Sequence, residues 1–383
     1  MSFPRISDVR AVLLTAPYGV PGAQTRQRSA VFVEVECEDG ITGIGETYAG
    51  VYMPELCAET ISFFRPHFVG RPADRINRLA ADAFWISSYI GRTGPTVMVL
   101  SAIECALWDA LGKRLGQPVH ALLGGAVHDR LPLYASGGVP TFSLEQLVAH
   151  AKDVMNQGYR GFKMRLHPMA WQPEVETERV AAVRSAIGPD KLLALDAVQN
   201  FNRQPWSVKQ TLSLLAQLKP SNIAWAEEFL PPFDPAPYAE LRAASPIPIS
   251  GGEGITASTA FAQWIRAGAF DIAQPDPTIV GGIAEARRVC EFALASHVKV
   301  AMHVWGAAPT IMANYHLGFC MPNCFILERP VMHNPLETEM LAEPLEIADG
   351  YVLPPKAPGL GVVLTEAIKA RYPYKSGSAS LFG

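Results

Sequence analysis

The sequence predicts an α/β protein: a parallel β/α barrel preceded by a smaller α+β unit. From about residue 131, short apolar runs alternate with helical stretches, as they do in consecutive β/α units. Eight such runs can be counted, which is the strand number of a closed barrel. No Gly-x-Gly-x-x-Gly and no Gly-x-x-x-x-Gly-Lys-Ser/Thr motif occurs, so a doubly wound nucleotide-binding sheet is disfavoured.

The first unit, residues 1–125, opens with three predicted antiparallel strands. Their sequences are AVLLTAP, RSAVFVEVE and ITGIGE, and Asp39-Gly40 between the last two is a strong hairpin signal. A long helical run follows, TVMVLSAIECALWDALGKRLG, and it is closed by Gly116 and Pro118. Strands followed by helices make this unit α+β.

The barrel is predicted over residues 126–340. Its eight strand runs are LPLYASG, GFKMRL, KLLALDAV, NIAWAEE, IPISGGE, FDIAQPD, VKVAMHV and CFILE. Because the strand ends of a barrel meet at one mouth, the polar residues that end these runs should form one site. Residues 341–383 are rich in Pro and Gly, and we expect them to form irregular structure that packs back on the first unit.

The composition is that of a compact globular protein and excludes several functions. The 383 residues are 49% apolar and 18% charged, with a net charge of −4. No basic stripe is present, so a nucleic-acid partner is not expected. The first residues lack a signal-peptide pattern, and no run approaches the roughly 18 apolar residues of a membrane span. The six cysteines form no Cys-x-x-Cys pair, which disfavours zinc and disulfides and favours the cytoplasm.

Three carboxylates end successive strand runs and form a candidate metal site. Asp196 ends LLALD, Glu227 ends IAWAE and Glu253 ends ISGGE. Three neighbouring acids repel one another unless a cation neutralises them, and oxygen-only ligation suits Mg²⁺ better than Zn²⁺. The alternative for each acid is a helix cap or a pair with a loop cation. Strand alternation predicts that only one of Glu227 and Glu228 faces the barrel axis; we take Glu227 as the ligand and expect Glu228 to make a structural contact or to support the metal ligands from outside.

Two cations end the second strand run. Lys163 and Arg165 are two residues apart in GFKMRL, so both side chains lie on one face of the strand. There they would bind a substrate carboxylate and stabilise the negative charge of an enediolate. The alternative is a solvated or salt-bridged strand end.

A candidate base and a candidate acid end later strands. Asp276 ends FDIAQPD and His303 ends VKVAMH, so the carboxylate on the adjacent strand should hold one imidazole nitrogen. The alternative is a core histidine. Glu328 ends CFILE, and if kept protonated it could donate a hydrogen bond to a substrate oxygen. Its alternative is a pair with Arg329 or Lys163.

These motifs resemble the enolase superfamily, and within it the mandelate racemase subgroup, over essentially the whole chain. The stretches that carry the resemblance are GFKMR at 161–165, LALDAVQN, WAEE, GGEG, QPDPTIVGG at 274–282, MHVWG, ILE, ALWDALGKRLGQPVHALLGG at 106–125 and PGLGV at 358–362. The resemblance implies a modified (β/α)7β barrel of the TIM type, an N-terminal α+β capping domain and one essential Mg²⁺ per subunit. It also implies abstraction of the proton α to a carboxylate of a small-molecule substrate.

The same resemblance implies that two cap loops, near residues 18–27 and 47–54, close over the site and select the substrate. The candidate substrate-binding residues are Tyr18, Gln24, Arg26, Tyr48 and Tyr52. We also expect a homo-oligomer, between a dimer and an octamer.

One departure from the family pattern changes the predicted reaction. Many members carry Lys-x-Lys on the second barrel strand, with the second lysine as a base, and this chain has Arg165 there. Arginine stays protonated, so His303 is left as the main base. We therefore predict a Mg²⁺-dependent dehydratase of a sugar acid. The alternative is a racemase or epimerase of an α-hydroxy acid or an amino acid derivative, in which Lys163 could act as the second base. A barrel kept only for binding or regulation is a third possibility.

Overall fold

The computed structural model describes residues 3–19, 26–167 and 171–377. Within them the chain forms a small antiparallel sheet covered by helices and a closed parallel barrel. The predicted architecture, a β/α barrel with an N-terminal α+β cap, is confirmed.

The cap contains three antiparallel strands in the order β1-β2-β3 and four helices. The strands are β1 (Ile6–Tyr18), β2 (Arg26–Cys37) and β3 (Thr42–Thr47). The helices are α1 (Pro54–Phe68), α2 (Ile76–Ser87), α3 (Pro95–Leu115) and α4 (Val119–Leu122). The hairpin expected at Asp39-Gly40 joins β2 to β3, and α3 ends where predicted, at Gly116, whose φ of 62° is the left-handed conformation that glycine favours.

Two glycines let β3 lie directly against helix α3. A Cβ built on Gly43 would stand 1.9 Å from the carbonyl oxygen of Ala106, and one on Gly45 would stand 1.9 Å from that of Ala102. Any side chain at either position would therefore push the sheet off the helix. Helix α3 is long and apolar enough by composition to cross a membrane, but 72% of its apolar window is buried in the fold, as expected of a core helix.

The barrel has eight parallel strands in the described residues, and each coincides with a predicted run. They are β4 (Leu131–Gly137), β5 (Gly161–Arg165), β6 (Leu192–Asp196), β7 (Ala226–Glu227), β8 (Ile249–Gly251), β9 (Ile272–Ala273), β10 (Lys299–Met302) and β11 (Cys324–Pro330). Pairing of β11 with β4 closes the barrel.

Helices fill all seven strand-to-strand connections, which gives the (β/α)7β pattern. They are α5 (Leu144–Asn156), α6 (Pro173–Ile187), α7 (Val208–Leu218), α8 (Pro235–Ala244), α9 (Ser258–Arg266), α10 (Pro277–Val280), α11 (Ile283–Ala295) and α12 (Ala308–Cys320), of which α10 and α11 share one connection.

An apolar layer fills the barrel interior one pleat below the mouth. Five of its members lie on barrel strands and the sixth, Trp225, directly precedes β7; they are Tyr134, Ala194, Trp225, Ile272, Ala301 and Ile326. Side chains two residues further along a strand point the same way. The residues two positions on therefore form the next interior layer, and that layer is polar.

The last described segment binds both units. It contains α13 (Leu336–Glu339), β12 (Ile347–Ala348), β13 (Tyr351–Val352) and α14 (Glu366–Arg371). Strand β13 pairs with β4 of the barrel, and the Thr15 N–H of β1 donates to the Tyr372 carbonyl at 3.1 Å. The domain boundaries at residues 125 and 340 remain predictions.

Candidate active site

Strand alternation carries the predicted site residues into the barrel mouth. Asp196, Glu227, His303 and Glu328 each stand two residues beyond a member of the apolar interior layer. Lys163 pairs in register with Ala194 of that layer and is only 2% exposed. A dry apolar floor beneath charged groups lowers the local dielectric, which strengthens the electrostatic interactions among them.

The predicted histidine and aspartate are in contact. His303 Nδ1 lies 2.9 Å from Asp276 Oδ2. The other oxygen, Oδ1, accepts hydrogen bonds from the Thr278 N–H at 2.8 Å, the Thr278 hydroxyl at 2.8 Å and the Asn314 amide at 3.1 Å. Three donors thus fix the carboxylate, and the carboxylate fixes the imidazole with Nδ1 protonated.

The second imidazole nitrogen faces the site. His303 Nε2 stands 3.5 Å from Glu253 Oε2, and the Tyr48 ring packs edge-on against the imidazole at 5.8 Å between centroids. Burial alone lowers the pKa of His303, but the Glu253 and Asp276 carboxylates outweigh it and raise that pKa to about 9. His303 therefore combines a held nitrogen with a free nitrogen that can exchange a proton.

Lys163 lies between two carboxylates. Its ammonium group contacts Glu227 Oε1 and stands 3.0 Å from Glu328 Oε1. Burial lowers the pKa of Lys163, but the Glu227 and Glu328 charges more than compensate and hold it well above its usual range. Glu328 also accepts the Val304 N–H at 2.8 Å. Burial raises the pKa of Glu328, yet Lys163 and His303 bring it below the ordinary value. Glu328 is thus an ionised acceptor, not the protonated donor considered from the sequence.

Arg165 lies over an aromatic ring at the mouth. Its guanidinium carbon is 4.2 Å from the centroid of the Trp305 ring, and its Nε is 3.7 Å from Asp196 Oδ2. A planar, permanently charged group in this position can hold a carboxylate in two hydrogen bonds. It cannot accept a proton.

Of the three predicted metal ligands, Asp196 and Glu227 are buried, and the Glu253 side chain is 18% exposed. Burial, followed by the Glu227 charge, raises the pKa of Asp196 to about 7. Burial also raises the pKa of Glu253, although His303 opposes it. Oxygen donors that repel one another in a site of low dielectric fit a hard divalent cation. No three His, Cys, Asp or Glu side chains of the described residues converge closely enough to hold one ion. Glu227 instead contacts Lys163, Gln274 and Trp225.

Glu228 does not follow the strand alternation that the sequence predicts. Strand β7 ends at Glu227, and Glu228 takes a left-handed backbone conformation with φ of 46°. Its side chain is 1% exposed and belongs to the same acidic cluster. Burial, followed by the Glu253 and Asp196 charges, holds the pKa of Glu228 well above its usual range. The expectation that only one of these two neighbouring glutamates faces the site is therefore wrong.

The cap places one of the five predicted substrate residues, Tyr48, against a catalytic group. Tyr48 contacts His303, and the Tyr52 ring lies 5.9 Å from that of Tyr48. Tyr18 packs edge-on against Trp305 at 6.5 Å. Arg26 is exposed at the start of β2, and Gln24 lies outside the described residues.

Sequence reasoning missed several polar and aromatic groups of the site. Gln274 donates to Glu227 Oε2 at 2.6 Å, Trp305 supports Arg165, and Arg28 stacks over the Tyr18 ring at 4.5 Å. Gln274 and Trp305 stand two residues from Asp276 and His303 in QPD and HVW, so position in the motif was the available signal. Arg28 and Asn314 carry no such signal, because only the tertiary fold brings them to the site.

Comparison with known families agrees with this geometry. The family model described as mandelate racemase / muconate lactonizing enzyme, N-terminal domain, matches residues 8–124. The model described as enolase C-terminal domain-like matches residues 146–368. The chain belongs to the mandelate racemase group of the enolase superfamily. The predicted resemblance is confirmed, and so is the prediction that the protein is an enzyme.

Relatives of this enolase-superfamily chain act on sugar acids. It is 30% identical over 370 residues to D-galactarolactone cycloisomerase of Agrobacterium fabrum, covering 94% of this chain and 96% of the relative. It is 30% identical over 345 residues to L-talarate/galactarate dehydratase of Salmonella typhimurium, covering 88% and 80%. A solved L-talarate/galactarate dehydratase variant liganded with Mg and L-glucarate has a TM-score of 0.84 and 26% identity, with 97% of this chain and 93% of that chain covered.

Proposed function

We propose that this protein is a Mg²⁺-dependent dehydratase of a sugar acid, an aldonate or an aldarate. The observation that carries the proposal is the single competent base: His303, with Nδ1 held by Asp276 at 2.9 Å and Nε2 directed into the mouth. On the second strand the corresponding groups are Arg165 and an ion-paired Lys163. One base on one face suits elimination better than inversion of a stereocentre.

His303 would act twice in the reaction. Its Nε2 takes the proton from the carbon next to the substrate carboxylate, and the electron pair of that C–H bond forms the enediolate. When the bond from the β-carbon to oxygen breaks, the imidazolium returns its proton to the leaving hydroxide, and water is released. The resulting enol converts to a 2-keto acid. Asp276 stabilises the imidazolium between these two steps.

The remaining charged residues stabilise the negative charge that develops. Lys163 and Arg165 can donate to the substrate carboxylate as its oxygens gain charge. Asp196, Glu227 and Glu253 would hold a divalent cation. That cation, when bound, supplies further neutralisation at the carboxylate. Because the L-talarate/galactarate dehydratase relative binds Mg, Mg²⁺ is the cation we propose here.

An isomerase is the second candidate, and the cycloisomerase relative, which aligns over nearly its full length, favours it. Such a reaction can begin with the same proton abstraction by His303 and end without loss of water. A racemase requires in addition a neutral base opposite His303, which Arg165 does not provide. Lys163, which is ion-paired with Glu227 and Glu328, would have to release its proton for that role.

A mass-spectrometric screen tests the proposal. A library of mono- and diacid sugars is incubated with the protein and Mg²⁺, with and without EDTA. We expect loss of water from one subset of acids, and we expect EDTA to abolish it. A product of unchanged mass would favour the isomerase, and deuterium incorporation at the α-carbon without loss of water would favour a racemase.

The variant His303→Asn provides the residue-level test. Asparagine keeps approximate size and polarity but cannot accept the α-proton. We expect loss of dehydration by at least about 10³-fold, with the fold retained by circular dichroism. Dehydration at the wild-type rate in His303→Asn would reject the assigned base. We further propose that the protein works in the cytoplasm as a homo-oligomer.

A further inference from the structure

Glu228 is a buried acid to which the proposed mechanism assigns no role. It is 1% exposed, and both of its carboxylate oxygens are buried without a hydrogen-bond partner among the described residues. A buried, unpartnered carboxylate destabilises the fold unless another group compensates it. Such a residue needs an explanation, and it stands next to one of the proposed cation ligands.

The cations near Glu228 are already engaged by other acids. Lys163 contacts Glu227 and Glu328, and His303 contacts Asp276. Arg165 is directed to Asp196. None of these positive groups forms an ion pair or hydrogen bond with Glu228 in the described residues.

The carboxylates around Glu228 are those of the proposed cation site. After burial, the groups that act most strongly on it are Glu253, Asp196 and Glu227, in that order. Its placement is set by the backbone, since the left-handed φ of 46° turns the side chain out of the strand alternation. A non-glycine residue in this conformation is strained, and such strain is common at functional sites.

We propose that Glu228 is a fourth carboxylate of the cation site, grouped with Asp196, Glu227 and Glu253 and needed for tight binding of the ion. The proposal rests on the proposed function in one respect, the presence of a divalent cation. Mg²⁺ retains bound waters, and a carboxylate with two free oxygens beside the ligands can accept hydrogen bonds from them. The added negative charge also favours the bound cation.

Calorimetric titration of Mg²⁺ into EDTA-treated, dialysed protein tests this role without any substrate. We expect Glu228→Gln, which removes the charge and keeps the volume, to weaken Mg²⁺ binding by roughly 10–100-fold. The matched control is Glu104→Gln, because Glu104 is also a buried glutamate but lies on α3 of the cap and accepts from the Ile283 and Ala284 N–H groups of α11. We expect the Mg²⁺ affinity of that control to equal that of the wild type.

Thermal unfolding of the metal-free proteins separates cation binding from a purely structural role. Without metal, Glu228→Gln should melt at or above the wild-type temperature, because the variant no longer buries an uncompensated acid. Addition of Mg²⁺ should then raise its melting temperature less than that of the wild type. A lower metal-free melting temperature together with unchanged Mg²⁺ affinity would overturn the proposal and assign Glu228 a structural role.

The same measurements distinguish failure of the dehydratase proposal from failure of the Glu228 proposal. A wild-type chain that binds no Mg²⁺ would reject both proposals. If the wild type binds Mg²⁺ more tightly than Glu228→Gln but dehydrates no sugar acid, the cation role of Glu228 is supported and the dehydratase proposal is rejected.

Discussion

At the scale of single residues, the base strength of His303 depends on which of its nitrogens carries the proton. Asp276 accepts from Nδ1 and leaves Nε2 as the acceptor. The aspartate is itself oriented by Thr278 and Asn314. The contact between Asp276 and His303 could be predicted from their positions on adjacent strands, whereas the two residues that orient the aspartate could not.

The variant Asp276→Asn should disable the base while preserving the fold. The three donors to Oδ1 would hold the amide oxygen in place, so the amide nitrogen would donate to Nδ1 and leave the proton on Nε2. We expect kcat/KM to fall by roughly 10²–10⁴-fold, measured on whichever acid the screen identifies. Retention of activity above a tenth of wild type would contradict the tautomer argument.

The stability that Asp276→Asn loses relative to the wild type should depend on pH in the metal-free protein. The pKa of His303 is raised from 6.5 to about 9 in the folded state, so protonation stabilises the fold below pH 6.5, and this contribution is lost as pH rises through 9. Urea unfolding in EDTA should show the wild type exceeding Asp276→Asn most below pH 6.5. The difference should shrink toward pH 9, and a difference that grows with pH would contradict the assigned shift.

At the scale of elements, the cap depends on how closely β3 approaches α3. Gly43 and Gly45 have no side chain to separate the strand from the helix backbone. The burial of Ala102 and Ala106 on the facing side of α3 reflects the same requirement. Small residues on both elements therefore set the distance at which the sheet packs.

Replacement of Gly45 by alanine should destabilise the cap. The new methyl group would lie 1.9 Å from the Ala102 carbonyl oxygen, so strand or helix must move, at a cost of about 2–4 kcal/mol. Gly254→Ala is the control, because a Cβ there meets nothing within 4 Å. Chemical denaturation measures both, and equal stability of the two variants would show that the strand can move freely.

The element order could be read from the sequence because each barrel strand is an apolar run that ends in a charged or polar residue. Local pattern also placed the β2–β3 hairpin and the end of α3 at Gly116. The side-chain pairings could not be read this way. Lys163 pairs with Glu227 and Glu328, and the Glu228 backbone departs from strand geometry. Both features depend on neighbours that are distant in sequence.

At the scale of the whole molecule, Asp109 connects three parts of the chain. It is fully buried on α3, accepts from the Ile44 N–H of β3 at 2.8 Å and from the Leu360 N–H of the last segment at 2.7 Å. Its Oδ2 also pairs with Lys113 at 2.7 Å. One carboxylate thus satisfies donors from the sheet, the helix and residues about 250 positions away.

The variant Asp109→Ala should therefore destabilise more than the cap alone. It leaves two buried N–H groups without an acceptor and one lysine without its partner, which costs about 3–5 kcal/mol. Urea unfolding should show a lower midpoint, and the exposed acid Asp153 replaced by alanine serves as the control. A midpoint equal to that of the control would mean that water replaces the carboxylate.

The contact between β1 and the last described segment has a consequence for synthesis of the protein. Strand β1 forms the outer edge of the cap sheet, and the Lys375 N–H donates to Thr15 Oγ1 across 360 residues of sequence. At the usual speed of a ribosome, those residues take roughly 20–70 s to make. During that interval the edge of β1 in the nascent cap is not yet covered by its own chain. An unpaired strand edge can form hydrogen bonds with another chain and so promote aggregation. Rapid engagement of a chaperone with the emerging cap would protect this edge until residue 375 has been made.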